Sequence, residues 1–184
     1  LYENTEIPMP ETEMPPEDLD PFSRRVADGV EATTKPLTEE ETRRARRAYL
    51  ANTSYFDSKV GELIRTVEEV GEMENTLFIV PSDHGDLLGE RGMWFKMSFL
   101  EHSARVPLIM AGPGITQGTS HALCSLIDLL PTLIEIGGGS DEMLAAPIAG
   151  RSLMPLTRGE DFEGEVIGEY CAECAGAPVF MIRR

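Results

Sequence analysis

Asp83 and His84 stand side by side after the apolar, β-branched run of residues 76–80, and Gly85 follows them. A carboxylate oxygen beside an imidazole nitrogen supplies two of the donors that a divalent cation takes in proteins. Ligands of open α/β sheets bind beyond the strand ends, and Gly85 lets the backbone turn sharply there. The pair is therefore a candidate metal site. From these residues alone, a turn closed by the Asp83 side chain is the alternative.

Lys96 lies in the connection from His84 to Arg105, which is long for a compact domain. Ordered connections of this length usually carry function. The compact ammonium of Lys96 suits an anionic sulfate or phosphate oxygen on which charge builds during a reaction. An ordinary surface lysine is the alternative. The same connection carries further polar and aromatic side chains without a regular period, namely Trp94, Glu101 and His102.

The three cysteines form no recognisable metal or disulfide pattern. Only Cys171 and Cys174 are close, as Cys-Ala-Glu-Cys, and no second pair stands at zinc-ligand spacing. We interpret all three as ordinary thiols and keep a metal or redox role for the pair as the weaker alternative. Thiols without a disulfide framework favour the bacterial cytoplasm, with the periplasm as the alternative.

A long helix is predicted to begin after Thr38, because Thr38 and the three glutamates that follow match a capping box with an acidic first turn. The helix is expected to end near Gly71. Apolar residues recur at three-, four- and seven-residue steps and predict one stripe that packs on a sheet. The stripe consists of Tyr49, Phe56, Val60, Leu63, Val67 and Val70.

Four short runs rich in β-branched and aromatic residues predict strands. They cover residues 76–80, 106–110, 166–170 and 179–182. Residues 125–136 predict a helix whose regular part starts at Pro131, since proline suits a first turn. Alternating helix and strand signals predict an α/β layer architecture, with a largely parallel or mixed sheet flanked by helices.

Residues 1–36 are predicted to be an extended, acidic, proline-rich connection. Residues 1–20 carry seven acidic side chains, no Lys or Arg, and prolines at positions 8, 10, 15 and 16. Such a segment cannot sustain a helix and has little to bury. An ordered arm lying across a domain surface is the alternative to a plain linker.

Length and charge limit the classes of partner. At 184 residues and 41% hydrophobic content, the chain can bury one sizeable core. The net charge of −16 repels phosphate backbones, so we expect no nucleic-acid partner and favour a cationic or metal-bridged ligand. No apolar run approaches the roughly 20 residues that cross a bilayer, so we expect no membrane partner. Assembly into a homo-oligomer stays open.

Four blocks of the sequence occur in the order typical of one enzyme family. They are N-T-L-F-I-V-P-S-D-H-G-D, then G-E-R-G-M-W-F-K, then E-H-S-A-R-V-P-L-I-M-A-G-P-G, and then S-L-I-D-L-L-P-T-L-I-E-I-G-G. On these residues the chain resembles the second half of the sulfatase family, within the alkaline phosphatase superfamily. The run S-D-H-G-D-L-L-G-E-R-G-M-W-F-K-M is most similar to the choline-sulfatase branch.

The resemblance implies that residues 37–184 are the C-terminal part of a sulfatase catalytic domain, whose alkaline-phosphatase-like mixed sheet is incomplete in this chain. It also implies that Asp83 and His84 supply two ligands to a single divalent cation, calcium or magnesium, with manganese as a third candidate. Lys96 would be the catalytic residue that binds the sulfate of the substrate. Many sulfatases place Asn where His84 stands, whereas the choline-sulfatase and phosphonate monoester hydrolase branches share His.

Glu173 follows the predicted strand of residues 166–170, where the resemblance to choline sulfatases implies a glutamate that faces the substrate. A quaternary ammonium donates no ordinary N–H hydrogen bond, so carboxylates and aromatic faces hold it. The context Cys-Ala-Glu-Cys-Ala departs from a small, Gly-rich pattern. A surface glutamate is the alternative, and the aromatic partners are expected outside this chain.

The family mechanism implies a formylglycine nucleophile, made from Cys or Ser in a Cys/Ser-x-Pro/Ala-x-Arg motif. The residues that follow Cys124, Cys171 and Cys174 do not match this motif. We therefore expect the nucleophile in a missing N-terminal half. The segment alone is expected to be inactive and the intact protein to be the hydrolase.

The expected function of the intact protein is a metal-dependent sulfuric ester hydrolase, whose partner is a small-molecule sulfate ester such as choline sulfate. A phosphonate monoester or phosphodiester hydrolase is the alternative enzyme, because a tetrahedral anion presents similar oxygens to Lys96 whether sulfur or phosphorus lies at its centre. A non-catalytic acidic interaction module on the same fold is the alternative from another class.

Overall fold

The computed structural model describes residues 2–140, 142 and 146–184. The chain divides into two compact units. The first consists of Leu1–Met73, His84–Pro107 and Tyr170–Val179, and the second of Glu74–Asp83, Leu108–Glu169 and Phe180–Arg184. Helices and short strands follow one another along the chain, which confirms the predicted α/β class.

The first unit contains a short helix, α1, that covers Pro21–Gly29. Asp20 caps it, because its carboxylate accepts hydrogen bonds from the amides of Phe22 at 2.9 Å and Ser23 at 3.0 Å. Pro21 suits the first helical position, where its missing N–H would have no partner. Partial burial pushes the pKa of the Asp20 carboxyl up, but the hydrogen bonds from Ser23 and Phe22 outweigh it and leave the pKa lowered.

The prediction of an extended, solvent-facing linker over residues 1–36 is wrong in two respects. Residues 21–29 form helix α1. Ile7 and Leu19 are only 2% and 9% exposed, so the preceding segment is an ordered arm, the alternative considered from the sequence. Apolar side chains spaced among its prolines give the arm something to bury. The buried residues that Leu19 packs with are Val26, Ala27, Leu87 and Met93. The domain boundary at residue 36 stays a prediction.

Helix α2 covers Glu39–Glu69 and begins where the capping box predicts. The amide of Glu41 donates to the Thr38 hydroxyl, and the amide of Thr38 donates to the Glu41 carboxylate at 2.9 Å. These two bonds satisfy amides that have no partner inside the helix.

The predicted packing of the α2 apolar stripe is wrong for this chain. Phe56, Leu63 and Val70 are 55%, 64% and 66% exposed. Of residues 39–69, only Thr42 is buried. An α-helix closes its hydrogen bonds within one segment, so the backbone of α2 is satisfied whether or not another element covers the stripe.

The second unit contains an antiparallel pair of strands. Strand β1 (Phe78–Pro81) pairs with β2 (Leu108–Ala111), with Phe78 opposite Ala111 and Pro81 opposite Leu108. Both strands were predicted, to within two residues. Continuous apolar runs of this kind are typical of buried strands, but no residue of β1 or β2 is fully buried and Ile109 is 59% exposed.

A second two-stranded sheet forms from β3 (Val166–Tyr170) and β4 (Val179–Arg183), which confirms the other two predicted strands. In the described residues the four strands therefore form two separate pairs. The single parallel or mixed sheet expected from the sequence is not assembled from these strands alone.

Three further α-helices are α3 (Glu101–Ala104), α4 (Leu129–Ile136) and α5 (Met154–Thr157). Short 3-10 helices cover Pro16–Asp18, Met73–Asn75, Glu90–Gly92 and Leu126–Asp128. Helix α4 starts two residues before Pro131, the predicted start. Buried polar side chains form hydrogen bonds at the N-terminal end of α4. The Thr132 hydroxyl donates to the Asp128 carbonyl at 2.6 Å, and the Asp128 carboxylate accepts from the amide of Arg151 at 2.9 Å.

Within residues 2–140, 142 and 146–184, no helix is both long and apolar enough to cross a membrane. Among the described residues, Cys124, Cys171 and Cys174 form no disulfide. Burial and the nearby Asp128 carboxylate raise the pKa of Cys124, so this thiol lacks the lowered pKa of a reactive cysteine.

Candidate active site

Asp83 and His84 follow strand β1, separated from its last residue by Ser82 alone. Asp83 is exposed and ends a segment of the second unit, whereas His84 is half-buried and begins a segment of the first. The chain itself thus places a carboxylate and an imidazole on consecutive residues beyond a strand end. That both bind one cation stays a prediction.

His84 and Lys96 are in direct contact. The Lys96 Nζ lies 2.8 Å from the His84 Nε2, and the His84 Nδ1 lies 2.8 Å from the carbonyl oxygen of Gly85. A carbonyl can only accept, so Nδ1 carries the proton and Nε2 keeps a lone pair, to which the ammonium donates. One imidazole nitrogen bonds a backbone carbonyl, as is common in metal-binding histidines, and the other is in contact with the Lys96 ammonium.

Gly85 serves a different purpose from the one predicted. It does not adopt a left-handed φ. Instead its amide donates to the Ser103 carbonyl at 2.7 Å, and a Cβ added there would lie against the carbonyl oxygen of His102. A glycine is required because the backbone of residues 102–103 passes directly beside it.

Residues 87–95 form a tight turn, called here the site turn, which leads into Lys96. Its mouth is closed by the Leu87 amide donating to the Phe95 carbonyl at 2.7 Å. Leu87 and Met93 are fully buried and anchor it in the core of the first unit. The backbone is left-handed at three non-glycine residues, namely Leu88, Arg91 and Phe95, with φ of 50°, 55° and 66°. Such conformations persist only where the surroundings hold them, and they concentrate at functional sites.

Two residues that the sequence analysis missed fix this region. The buried hydroxyl of Ser103 donates to the Lys96 carbonyl, and the buried carboxylate of Glu90 holds the tip of the site turn. The sequence signal for Glu90 is its charge in a glycine-bounded segment, residues 89–92, that has apolar residues on both sides. A charge in that position needs buried partners, which the sequence does not identify.

Glu173 lies in the connection between β3 and β4, and its side chain is exposed. The Tyr170 hydroxyl donates to the Glu173 backbone carbonyl at 2.9 Å, and the Tyr170 ring packs edge-on against Phe22 with centroids 6.0 Å apart. Burial and the Glu173 carboxylate raise the pKa of Tyr170. Contact of Glu173 with a substrate stays a prediction.

The donor chemistry of Asp83 and His84 fits a divalent cation in part. A carboxylate oxygen and the Nε2 lone pair are suitable ligands. However, no group of three His, Cys, Asp or Glu in the part of the chain that the structure describes could hold a metal ion. A complete coordination shell therefore needs ligands beyond this pair.

Comparisons of sequence and of structure both relate the chain to sulfatases and similar hydrolases. A family model described as Sulfatase matches residues 15–139. The chain is 46% identical over 184 residues to a choline-sulfatase of Rhizobium meliloti (strain 1021), covering 100% of this chain and 36% of the relative. It is 34% identical over 161 residues to arylsulfatase K of Homo sapiens, covering 82% of this chain and 29% of the relative.

Among solved structures, the fold is similar to a phosphonate monoester hydrolase from Silicibacter pomeroyi, with a TM-score of 0.81 and 27% identity over 92% of this chain and 36% of that one. The chain thus spans about a third of the length of the relatives it matches. Because the family model covers more than half of its residues and the fold agrees, the chain belongs to the sulfatase family.

Proposed function

We propose that this chain forms part of a metal-dependent sulfuric ester hydrolase that acts on choline sulfate or a similar small sulfate ester. The observation that carries the proposal is the 2.8 Å contact of the Lys96 ammonium with the His84 Nε2, in a sulfatase-family chain whose preceding residue is Asp83. This contact supports the proposal, in which His84 would be a cation ligand and Lys96 an anion-binding group.

Asp83 and His84 would hold one divalent cation, calcium or magnesium, with manganese as a third candidate. When bound, such a cation polarises an ester oxygen and offsets negative charge on it. Lys96 cannot donate to the Nε2 lone pair while that lone pair binds a cation. With His84 so engaged, the Lys96 ammonium would be able to bind an anionic oxygen of the sulfate, on which charge would increase as the ester bond breaks.

Choline specificity would need a group that attracts a quaternary ammonium. Glu173 is exposed, and its carboxylate can supply that attraction without a hydrogen bond. The similarity to a choline-sulfatase over the whole chain supports this assignment.

The nucleophile of the proposed reaction would be a formylglycine carried outside this chain. The first test is therefore the coding sequence upstream. We expect a Cys/Ser-x-Pro/Ala-x-Arg motif there. Its absence would favour the non-catalytic interaction module instead.

The two site residues are tested separately in the intact protein. Asp83→Ala should weaken divalent-cation affinity at least about 100-fold, more than the loss of an outer-sphere partner, and lower activity with it. Lys96→Ala should lower kcat on choline sulfate about 10²- to 10³-fold without weakening cation affinity, because it removes a positive charge that competes for the His84 Nε2. Lys59→Ala is the matched control, since Lys59 is an exposed lysine paired with Glu62. Site variants that keep the wild-type cation affinity and kcat would refute the assignment.

A phosphonate monoester hydrolase is the second candidate, supported by the likeness to the solved phosphonate monoester hydrolase. The two candidates share the cation and Lys96 and differ in the central atom of the substrate. Rates of the intact protein on choline sulfate and on a phosphonate monoester separate them. Faster turnover of the phosphonate would favour the second candidate.

A further inference from the structure

Glu90 is a buried carboxylate whose two oxygens both have partners. Its relative exposure is 3%. The amide of Glu11 donates to Oε1 at 3.1 Å, and the amide of Thr12 donates to Oε2 at 3.0 Å. The guanidinium of Arg46, whose side chain is 14% exposed, lies 3.5 Å from Oε1. A buried carboxylate needs donors of this kind, because they replace the water that it loses on burial.

Arg46 and Thr12, which both contact Glu90, also form hydrogen bonds with the backbone of the site turn. Arg46 also donates to the Leu88 carbonyl at 2.8 Å. The amide of Arg91 donates to the Thr12 carbonyl at 2.7 Å. The tip of the site turn is therefore held from two sides, by helix α2 through Arg46 and by the N-terminal arm through residues 11–12.

Lys96 follows directly from this turn. The strained left-handed residue Phe95 precedes it, and the Leu87–Phe95 hydrogen bond closes the mouth of the turn just before it. The left-handed backbone of the turn needs external contacts to persist. Loss of the Glu90 charge would leave Arg46 without its counter-charge at the tip, and the shape of the turn that aims Lys96 would relax.

We propose that Glu90 is a positioning residue for Lys96, acting through the site turn by joining it to the N-terminal arm and to Arg46. The proposal rests on the proposed function of Lys96. It also gives the arm a role: residues 11–12 are part of the support of the site.

A double-mutant cycle in the intact enzyme tests the proposal. Glu90→Gln keeps the size of the side chain and removes the charge opposite Arg46. It should lower kcat/KM on choline sulfate about 10- to 100-fold, the range for outer-sphere partners of a site. In a Lys96→Ala background the same change should have almost no further effect, because the group that Glu90 positions is gone. Glu39→Gln, which removes the exposed Glu39–Arg43 pair on α2, should leave kcat/KM unchanged in both backgrounds.

A Glu90→Gln effect that multiplies fully with that of Lys96→Ala would overturn the proposal, since Glu90 would then act on stability or on another group. Arg46→Lys provides the milder variant if Glu90→Gln does not fold, and the same coupling to Lys96 is required of it.

A protein without sulfatase activity would refute the proposed function, and a second readout then tests the Glu90 contact itself. Trp94 is the only tryptophan of residues 1–184 and lies in the site turn, so in the intact protein its fluorescence is taken as the part that Trp94→Phe removes. Glu90→Gln should make its fluorescence more accessible to acrylamide quenching. Quenching equal to that of the wild type would contradict the role of Glu90 in holding the turn.

Discussion

Helix α2 and residues 85–105 belong to the same unit, yet they differ in what they bury. The helix has regular hydrogen bonds over 31 residues and leaves its apolar stripe exposed, with Thr42 alone buried. Residues 85–105 have no sequence period, but they bury two apolar side chains completely and also bury Glu90 and Ser103. Of these two segments of the chain, the periodic one is therefore the more exposed.

The physical reason is the way in which the backbone amides and carbonyls of each segment find hydrogen-bond partners. Every interior amide of α2 has a partner four residues away, whatever covers the helix. Irregular backbone has no such internal solution, so its amides and carbonyls must find partners elsewhere or remain in water. The site turn finds some of them in the arm and in Arg46, and Lys96, the residue that follows the turn, lies next to His84.

The largest effect is expected from a comparison of two leucines, one buried in the core and one exposed on α2. Leu87→Ala should lower the free energy of unfolding of the chain by about 2–5 kcal/mol, because Leu87 is fully buried in the core. Leu63→Ala, on the exposed stripe of α2, should change it by less than about 0.5 kcal/mol. Urea denaturation measures both. Equal losses would show that the α2 stripe is buried after all.

A smaller effect is expected at Gly85. Gly85→Ala should cost about 1–3 kcal/mol, because the added methyl group meets backbone at His102 that cannot move without shifting Ser103. Gly61→Ala on α2 is the matched control, since only the flexible end of Arg65 lies within 4.0 Å of its added Cβ. Thermal unfolding compares the pair. A Gly85→Ala variant as stable as the wild type would contradict the close approach of residues 102–103 to Gly85.

Helix α1 shows the smallest expected effect and has a pH dependence. Asp20→Ala should lower the free energy of unfolding by about 1 kcal/mol through loss of the cap. Because the folded-state pKa of Asp20 is lowered, its contribution is full above its unfolded-state pKa of 3.8 and is lost as the pH falls through the folded value. The stability difference between wild type and variant should therefore shrink in acid. A difference that grows below pH 3.8 would have the wrong sign for this cap.

The local signals in the sequence were sufficient for the start of α2 at the Thr38 capping box and for all four strands. The likeness to sulfatases brought His84 and Lys96 into one hypothesis, and the structure places them in contact. Roles for Asp83, Lys96 and Glu173 stay predictions.

The remaining features depend on contacts between distant parts of the sequence. Glu90 meets partners 78 and 79 residues away in the arm, and no local pattern indicates such a pairing. The burial of Ile7 and Leu19 was missed because a proline-rich acidic composition indicates a lack of helix and gives no information about where single apolar residues pack. The α2 stripe was misjudged for the opposite reason, since its pattern indicates a covered face without identifying what covers it.

A crystal structure of the intact protein with calcium and sulfate would test the proposed site directly. We expect one cation bound by the Asp83 carboxylate and the His84 Nε2. We also expect the Lys96 Nζ about 3 Å from a sulfate oxygen. A cation bound elsewhere, with the Lys96 ammonium still donating to His84 and the sulfate distant from both, would contradict the proposed site.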